Sequence, residues 1–178
     1  MYIAFLRSIN VGKINKIGMS ELIELFYKLG HDNIKAYLNT GNLIFDSESS
    51  DICKMEEEIR NIIFENLNLE IEILIRTSDE LSKIVSNYNF QSPDGKNRYV
   101  TLLKTELDDE LKGLLSEDIK KFRKEDDLYE IRDKEVNLYI PGGYGETKLN
   151  NKFIEKKSKL YATTRNINTL EKILNLIQ

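Results

Sequence analysis

The sequence has few of the residues on which disulfides and metal sites depend. Among its 178 residues, Cys53 is the only cysteine and His31 the only histidine, and there is no tryptophan. A single cysteine excludes an intrachain disulfide, and one cysteine with one histidine argues against a structural zinc site. His31 follows Gly30 at a predicted helix end, where we expect a surface position in the C-terminal cap. For Cys53, early in a predicted helix, we expect an inert, partly buried thiol.

Long apolar runs are also missing. No run approaches the roughly 20 residues that span a bilayer, and the apolar start is interrupted at Arg7, before it reaches the length of a signal sequence. Hydrophobic residues make up 40% of the chain and charged residues 31%, which is usual for a soluble globular protein. We therefore expect a cytoplasmic protein without a membrane partner.

The charge is acidic overall but uneven along the chain. A net charge of −4 and a pI of 5.3 argue against binding nucleic acid through a broadly basic surface. Residues 1–90 carry nine basic and fourteen acidic side chains, whereas residues 91–178 carry seventeen and sixteen. Residues 145–172 alone carry seven basic and three acidic side chains. A locally basic segment on an acidic protein suits a small anionic ligand, or no ligand.

Hydrophobic periodicity in the first half predicts the order strand, helix, strand, strand, helix, strand. The predicted strands are residues 2–6, 34–38, 43–45 and 71–75, and the predicted helices are residues 19–29 and 52–63. This order is that of a ferredoxin-like βαββαβ unit. Right-handed crossovers then give an antiparallel sheet of order 4-1-3-2, with both helices on one face.

The second half follows a similar order of elements. After a predicted helix that starts at Ser78, residues 91–97 have turn chemistry and no apolar side chain, which indicates a linker. The predicted strands beyond it are residues 98–104, 128–132, 136–140 and 160–163, and the predicted helices are residues 106–115, 148–157 and 167–177. We therefore predict an α+β protein with two subdomains. The first, residues 1–92, is ferredoxin-like with a connecting helix, and the second, residues 93–178, is a similar βαββα(β)α arrangement without a residue-level repeat.

Polar residues of two loops are expected to converge at one end of the first sheet. One loop follows the first predicted strand and the other precedes the third, and these two strands are neighbours in the predicted sheet. The loop of residues 8–17 is longer than the ~2–6 residues typical of such a connection, and long loops are often functional. The candidate ligand-binding residues here are Arg7, Asn10, Gly12, Lys13, Thr40, Gly41 and Asn42. The alternative is that Asn10 and Asn42 satisfy backbone groups in a wide turn.

A second polar cluster is expected at one end of the second sheet. Two loops there are predicted to lead into helix N-termini, where exposed N–H groups and the helix dipole favour anions. The candidate residues are Gly143, Gly145, Lys148, Thr163, Thr164, Arg165 and Asn166. The spacing is not that of a P-loop, and Glu146 would repel an anion. The alternative is a flexible hairpin exit followed by an ordinary N-cap.

Five segments in order resemble the DUF1697 family of bacterial proteins of unknown function. They are residues 6–12, 16–22, 39–45, 143–149 and 162–166. The resemblance covers nearly the whole chain and implies a cytoplasmic α+β protein with two subdomains, but no activity. Typical members carry glycine at the position of Ser8 and a basic residue at that of Glu146. The second departure weakens a phosphate-binding role for the glycine-rich loop.

Three functional hypotheses follow. The first is binding of, or action on, a small phosphorylated or nucleotide-like anion, with Arg7 and Arg165 as candidate partners of anionic oxygens. Either arginine could instead form a buried structural pair. The second is an RNA-binding module, which the acidic pI disfavours, and the third is a structural or protein-interaction role without a ligand. No catalytic residue, cofactor, metal site or oligomeric state can be named, so whether the protein is an enzyme stays open.

Overall fold

The computed structural model describes residues 1–12 and 14–177. The chain divides into two compact units. The first unit comprises residues 1–82 together with the C-terminal residues from Ile173 onward, and the second unit comprises residues 83–172. No helix in the described part of the chain is both long and apolar enough to cross a membrane.

The first unit is built on a four-stranded antiparallel sheet. Its elements are β1 (Tyr2–Leu6), α1 (Met19–Lys28), β2 (Asp32–Ala36), β3 (Asn42–Asp46), α2 (Ile52–Leu67), β4 (Ile73–Thr77) and the start of α3 (Ser78–Ser86). The strand order is β2-β3-β1-β4, so the predicted ferredoxin-like order is confirmed. Central β1 pairs Ala4 with Leu43 on one side and with Ile75 on the other.

Both helices of this unit pack on one face of the sheet, as predicted. Leu22 and Phe26 of α1 and Ile59 of α2 are fully buried, in one core with Ala4 and Phe45 of the sheet. Local signals define the ends of α2. The Asp51 side chain accepts a hydrogen bond from the Lys54 N–H (3.0 Å), and Asn68 ends the helix in the left-handed conformation, which asparagine tolerates.

The second unit repeats the arrangement. Its elements are β5 (Arg98–Leu103), α4 (Asp109–Phe122), β6 (Leu128–Ile131), β7 (Glu135–Tyr139), a short 3-10 helix (Tyr144–Glu146), α5 (Asn151–Ser158), β8 (Ala162–Asn166) and most of α6 (Ile167–Ile177). The sheet order is β6-β7-β5-β8, so it corresponds strand for strand to the first sheet. Its core joins Leu103, Leu138 and Ala162 to Leu115 of α4 and Ile154 of α5.

Several predicted boundaries were wrong. Strand β4 is residues 73–77 rather than 71–75, and α4 runs to Phe122, seven residues past the predicted end at Leu115. Asp108 is the N-cap of α4, since its side chain accepts a hydrogen bond from the Leu111 N–H (2.8 Å). Strand β8 covers residues 162–166 rather than 160–163, because its pairing with β5 continues to Asn166, which lies opposite Tyr99.

Candidate functional site

The loop between β1 and α1 has an unusual backbone. Ser8, Asn10, Gly12 and Asn15 all have positive φ angles, between 47° and 59°. Asparagine and glycine adopt this conformation more readily than other residues do. The Asn10 N–H donates to the Asn15 carbonyl (3.0 Å), so a backbone hydrogen bond joins the two sides of this loop.

Asn10 joins this loop to the turn between β2 and β3. Its carboxamide donates to the carbonyl oxygens of Ile17 (3.0 Å) and Asn39 (2.9 Å), and its oxygen accepts from the Ile17 N–H (3.0 Å). Beside it, the Leu6 N–H donates to the Gly41 carbonyl (2.8 Å). The two loops therefore meet at one end of the first sheet, as the strand order implies.

Asn42 and Gly41 are part of the framework of this end. Asn42 is fully buried, and its carboxamide donates to the Tyr37 carbonyl (2.9 Å) and to the Thr40 hydroxyl (3.1 Å). Gly41 has φ +77°, and a Cβ there would lie 2.8 Å from the Cβ of Leu6. Asn10 and Asn42 thus bind backbone groups, as the alternative interpretation holds, while a ligand role for them stays a prediction.

The outer surface of this end consists of other side chains. Gly12, Lys16 and Thr40 are exposed, and Arg7 is half-buried, with its N–H donating to the Glu72 carbonyl (2.9 Å). The apolar side chains of Val11, Ile14 and Leu38 are 59%, 64% and 52% exposed. The remaining candidate, Lys13, lies outside the described residues. Exposed apolar side chains next to basic ones provide two kinds of contact for a ligand.

Charge distinguishes this loop from the rest of the first unit. Residues 1–82 carry eight basic and fourteen acidic side chains, a net of −6, and residues 173–178 carry none. Three of the eight basic residues are Arg7, Lys13 and Lys16, and no acidic residue occurs between Leu6 and Glu21. The loop is therefore a concentration of positive charge on an acidic unit.

Thr164, Arg165 and Asn166 of the second cluster lie within β8 rather than in a loop after it, and Thr163, which was predicted to end the strand, lies inside it. The Thr164 hydroxyl is part of a network inside the second unit. It donates to the Asn151 side chain, accepts from the Tyr144 hydroxyl (2.9 Å) and lies 2.8 Å from the Thr101 hydroxyl. Burial raises the pKa of Tyr144, so its hydroxyl stays protonated and remains a donor.

Arg165 is held by its own strand. Its guanidinium donates to the Thr163 hydroxyl (2.7 Å) and to the Thr164 carbonyl (3.0 Å), and burial lowers its pKa to about 10. Arg76 occupies the matching position of β4, opposite Ile3 as Arg165 is opposite Val100. Arg76 likewise donates to the carbonyl of the residue before it (2.9 Å). This correspondence, which sequence inspection missed, favours a structural role for Arg165.

The glycine-rich loop does not lead directly into an α-helix, so that prediction was wrong. A short 3-10 helix follows Gly143, and α5 begins only after Asn150, whose side chain accepts from the Phe153 N–H (3.1 Å). Gly143 has φ +86°, and nothing lies within 4 Å of a Cβ placed on Gly145. Lys148 is exposed, with its ammonium group 5.9 Å from the centre of the Phe122 ring.

The two loops of the second cluster do share one end of the sheet. Pro141, before the glycines, accepts a hydrogen bond at its carbonyl from the Asn97 side chain (3.0 Å), and Asn168, at the start of α6, donates to the Gly95 carbonyl (3.1 Å). The Asn166 side chain accepts from the Asn168 N–H (2.9 Å). The α6 N-terminus is thus capped by the chain itself, while Thr164 and Arg165 lie further back along the strand.

The predicted exposure of His31 and of Cys53, the only histidine and the only cysteine, was wrong in both cases. His31 is only 3% exposed and packs against the rings of Phe26 and Phe45, whose centroids are 5.8 and 4.7 Å from its own. Burial lowers its pKa, and neither ring nitrogen has a hydrogen-bond partner among the described residues. Cys53 is exposed rather than partly buried. No group of three or more histidine, cysteine or carboxylate side chains that could hold a metal ion occurs in the described ranges.

Sequence reasoning also missed a groove in the second unit. It has a volume of about 550 Å³, opens to solvent and lies between α4 and β6. Its lining includes Lys112, Gly113, Ser116 and Lys120 of the helix. The available signals were a glycine inside a predicted helix and polar side chains at four-residue spacing, which place one polar stripe along the helix.

Comparison with known proteins gives a family but no activity. The model of DUF1697, a family described as proteins of unknown function, matches residues 1–136. The chain belongs to the DUF1697 family. A solved structure described as the conserved bacterial protein SP0830 from Streptococcus pneumoniae is similar to it, with a TM-score of 0.72 and 20% identity over 99% of this chain and 98% of that one. That similarity supports the fold of this DUF1697 chain. No curated protein matches it.

Proposed function

We propose that this protein binds a small phosphorylated or nucleotide-like anion at the end of the first sheet formed by the β1–α1 loop and the β2–β3 turn. The observation that carries the proposal is the charge of the loop, where Arg7, Lys13 and Lys16 occur without an acidic residue in a unit of net charge −6. An acidic surface repels anions in general, so a local excess of positive charge selects where an anion binds.

The chemistry of the loop suits a ligand with an anionic and an apolar part. Arginine offers a planar set of donors that matches phosphate or carboxylate oxygens, and lysine adds a mobile point charge. The exposed Thr40 hydroxyl is a further donor on the adjoining turn. Val11 and Ile14 expose aliphatic surface beside these groups, which fits the flat, partly apolar face of a nucleobase.

Asn10 and Gly41 have a positioning role in this proposal. Asn10 joins the two loops through the Asn39 carbonyl, and Gly41 permits the close approach of the turn to Leu6. A site that is held in place before the ligand arrives loses less conformational entropy on binding. Asn10 and Gly41 therefore act on the ligand through the shape of the loops.

The proposal assigns no reaction and places the protein in the cytoplasm, where phosphorylated metabolites and nucleotides are available. Short RNA carries the same anionic groups, so it belongs among the probes as the competing ligand.

A thermal-shift screen with inorganic pyrophosphate, nucleotides, sugar phosphates and short RNAs tests the proposal, because a ligand of the native state raises the melting temperature. The decisive variant is Lys13→Ala combined with Lys16→Ala. The matched control is Lys28→Ala combined with Lys54→Ala, which removes the same charge at the end of α1 and the start of α2.

We expect at least one of the small anions to stabilise the wild-type protein and the control, but not the loop variant. The melting temperatures of both variants without ligand should stay close to that of the wild-type protein. The proposal is overturned if no small anion raises the melting temperature, or if the loop variant responds as the control does. Stabilisation by RNA alone would instead support the nucleic-acid hypothesis.

A further inference from the structure

Strand β6 has an outer edge that no other strand covers. Its hydrogen-bonded neighbour is β7, and in the part of the chain that the structure describes no strand pairs with its other side. The Arg132 N–H donates to the Glu135 carbonyl (2.8 Å) and closes the hairpin. Because hydrogen-bonded and non-hydrogen-bonded pairs alternate in an antiparallel ladder, the N–H and C=O groups of Tyr129 and Ile131 point outward.

Helix α4 forms the opposite wall of the groove at this edge. Lys112, Ser116 and Lys120 recur one helical turn apart and line the groove together with Gly113. The Ser116 hydroxyl lies 2.9 Å from the hydroxyl of Tyr129, so one polar contact joins the two walls. The groove is shallow and opens widely to solvent, so an extended segment can reach the β6 edge from outside.

Gly113 is not required by the packing of the unit. It lies inside α4 with no positive φ, and a Cβ built there would meet no atom within 4 Å. A glycine in a helix interior destabilises the helix relative to alanine. Because no neighbouring atom needs the space that a side chain at Gly113 would fill, the glycine serves to leave the groove open on its helix side, opposite the edge of β6.

The charges of the groove favour an acidic occupant near one end. The Lys112 ammonium is already bonded to Asp133 (2.7 Å) and Asp109 (3.3 Å). The Glu130 carboxylate is paired with Arg132 (2.8 Å). Lys120, by contrast, has no carboxylate within ion-pair distance among the described residues, so it is the lining charge left for a ligand.

We propose that this groove binds an extended acidic segment of a partner protein, which adds to β6 as a fifth strand. The backbone groups of Tyr129 and Ile131 form the new ladder, and an acidic side chain of the segment meets Lys120. Strand addition at an exposed sheet edge is a general mode of peptide recognition. The proposal concerns the second unit and is independent of the anion site in the first.

Phage display tests this inference. A library of random peptides is selected on the full-length protein, and the selected peptides are then synthesised and titrated against it. Gly113→Phe fills the groove from the helix side, and Leu114→Phe is its control, since Leu114 is 51% exposed and does not line the groove. Lys120→Glu reverses the free lining charge, and Lys121→Glu makes the same change on the next residue, outside the lining. Amide hydrogen exchange reports on the edge itself.

We expect acidic, β-prone peptides to be enriched and to protect the Tyr129 and Ile131 amides. Gly113→Phe should abolish binding and Leu114→Phe should not. Lys120→Glu should weaken binding by about threefold, in keeping with the modest strength of exposed ion pairs, with little change for Lys121→Glu. The inference is overturned if no peptide is enriched, if Gly113→Phe binds normally, or if the edge amides stay unprotected. A dimer of this chain that Gly113→Phe disrupts would assign the edge to a second copy and overturn it too.

Discussion

Strands β2 and β6 occupy the same edge position in two sheets of the same order, and they are built differently. Strand β2 has an irregular register with β3 between Asp32 and Lys35, with Asn33 at φ 51°. Strand β6 pairs with β7 in continuous register over four residues. Helix α1 packs against β2, whereas a groove lies between α4 and β6. An edge strand with an interrupted register resists strand addition more than an edge strand with a regular register does.

The two units also differ in the polarity of their sheet centres. At the helix-covered centre of the first sheet, Ala4 lies opposite Ile75, and at the matching position of the second sheet Thr101 lies opposite Thr164. The first pair contributes to an apolar core, while the second begins the hydroxyl network that includes Tyr144. One topology therefore accommodates an apolar centre in one unit and a polar centre in the other, provided that each hydroxyl finds a partner.

The largest expected effect concerns the turns of the β2–β3 and β6–β7 hairpins. Gly41→Ala should lower the free energy of unfolding by about 3 kcal/mol, because it combines left-handed strain with a clash against Leu6 and Ile9. The equivalent turn in the second unit, between Arg132 and Glu135, contains no glycine. Denaturant titration measures the loss.

Gly12→Ala is the control for Gly41→Ala. Gly12 also has a positive φ, +59°, but nothing lies within 4 Å of its added Cβ. Only the strain of about 1–2 kcal/mol should appear there. Equal losses for the two variants would show that the close approach of the Gly41 turn to β1 does not contribute.

The next effect concerns His31, the buried histidine of the first unit. Burial lowers its pKa, against the opposing charges of Glu58 and Asp32, so the folded state resists protonation. Below about pH 6.5 the unfolded chain takes up a proton that the folded chain does not. The free energy of unfolding should therefore fall as the pH falls below 6.5, by up to about 1.4 kcal/mol per pH unit.

His31→Leu should remove this slope whatever it does to the absolute stability. Unfolding measured between about pH 6.5 and pH 5 gives the comparison, because ordinary carboxylates titrate mainly below that window. An unchanged slope in His31→Leu would mean that other groups produce the acid sensitivity. Since the chain has no second histidine, no such slope should originate from a histidine of the second unit.

The smallest effect concerns the polar centre of the second unit. Tyr144→Phe removes the hydroxyl that donates to Thr164 (2.9 Å) and accepts from the Asn151 N–H (2.9 Å). We expect a loss of about 1–2 kcal/mol, as for other buried hydrogen bonds. Tyr161→Phe is the control, since Tyr161 is 53% exposed and should lose almost nothing. If Tyr144→Phe were as stable as the wild-type protein, the network would be incidental to folding.

Much of this architecture could be predicted from local signals. The apolar runs of β1 and β4, the cap at Asp51, and the spacing of Leu22 and Phe26 predict the element order and one buried face per helix. That order with right-handed crossovers predicts the sheet. The meeting of the β1–α1 loop with the β2–β3 turn follows from the sheet order as well, and the Asn10–Asn39 hydrogen bond is its observed form.

Two of the failures concern residues whose surroundings are formed by other elements of the fold. Arg165 was assigned to a loop because its local sequence is polar, but pairing with Val100 of β5 makes it part of a strand. His31 was assigned to the surface because it follows a helix-ending glycine. The rings of Phe26 and Phe45 enclose it instead.

The sequence by itself thus determined which elements form, their order and the charge that each segment carries, because periodicity, capping and composition act over a few neighbouring residues. Only the tertiary structure decided which polar side chains became framework and which remained on the surface. Asn10, Asn42 and Thr164 form hydrogen bonds within the fold because polar groups that are wholly or partly removed from solvent need partners. The open edge of β6 likewise depends on the tertiary structure, because the strand order makes β6 the outermost strand of its sheet and a groove lies between β6 and α4.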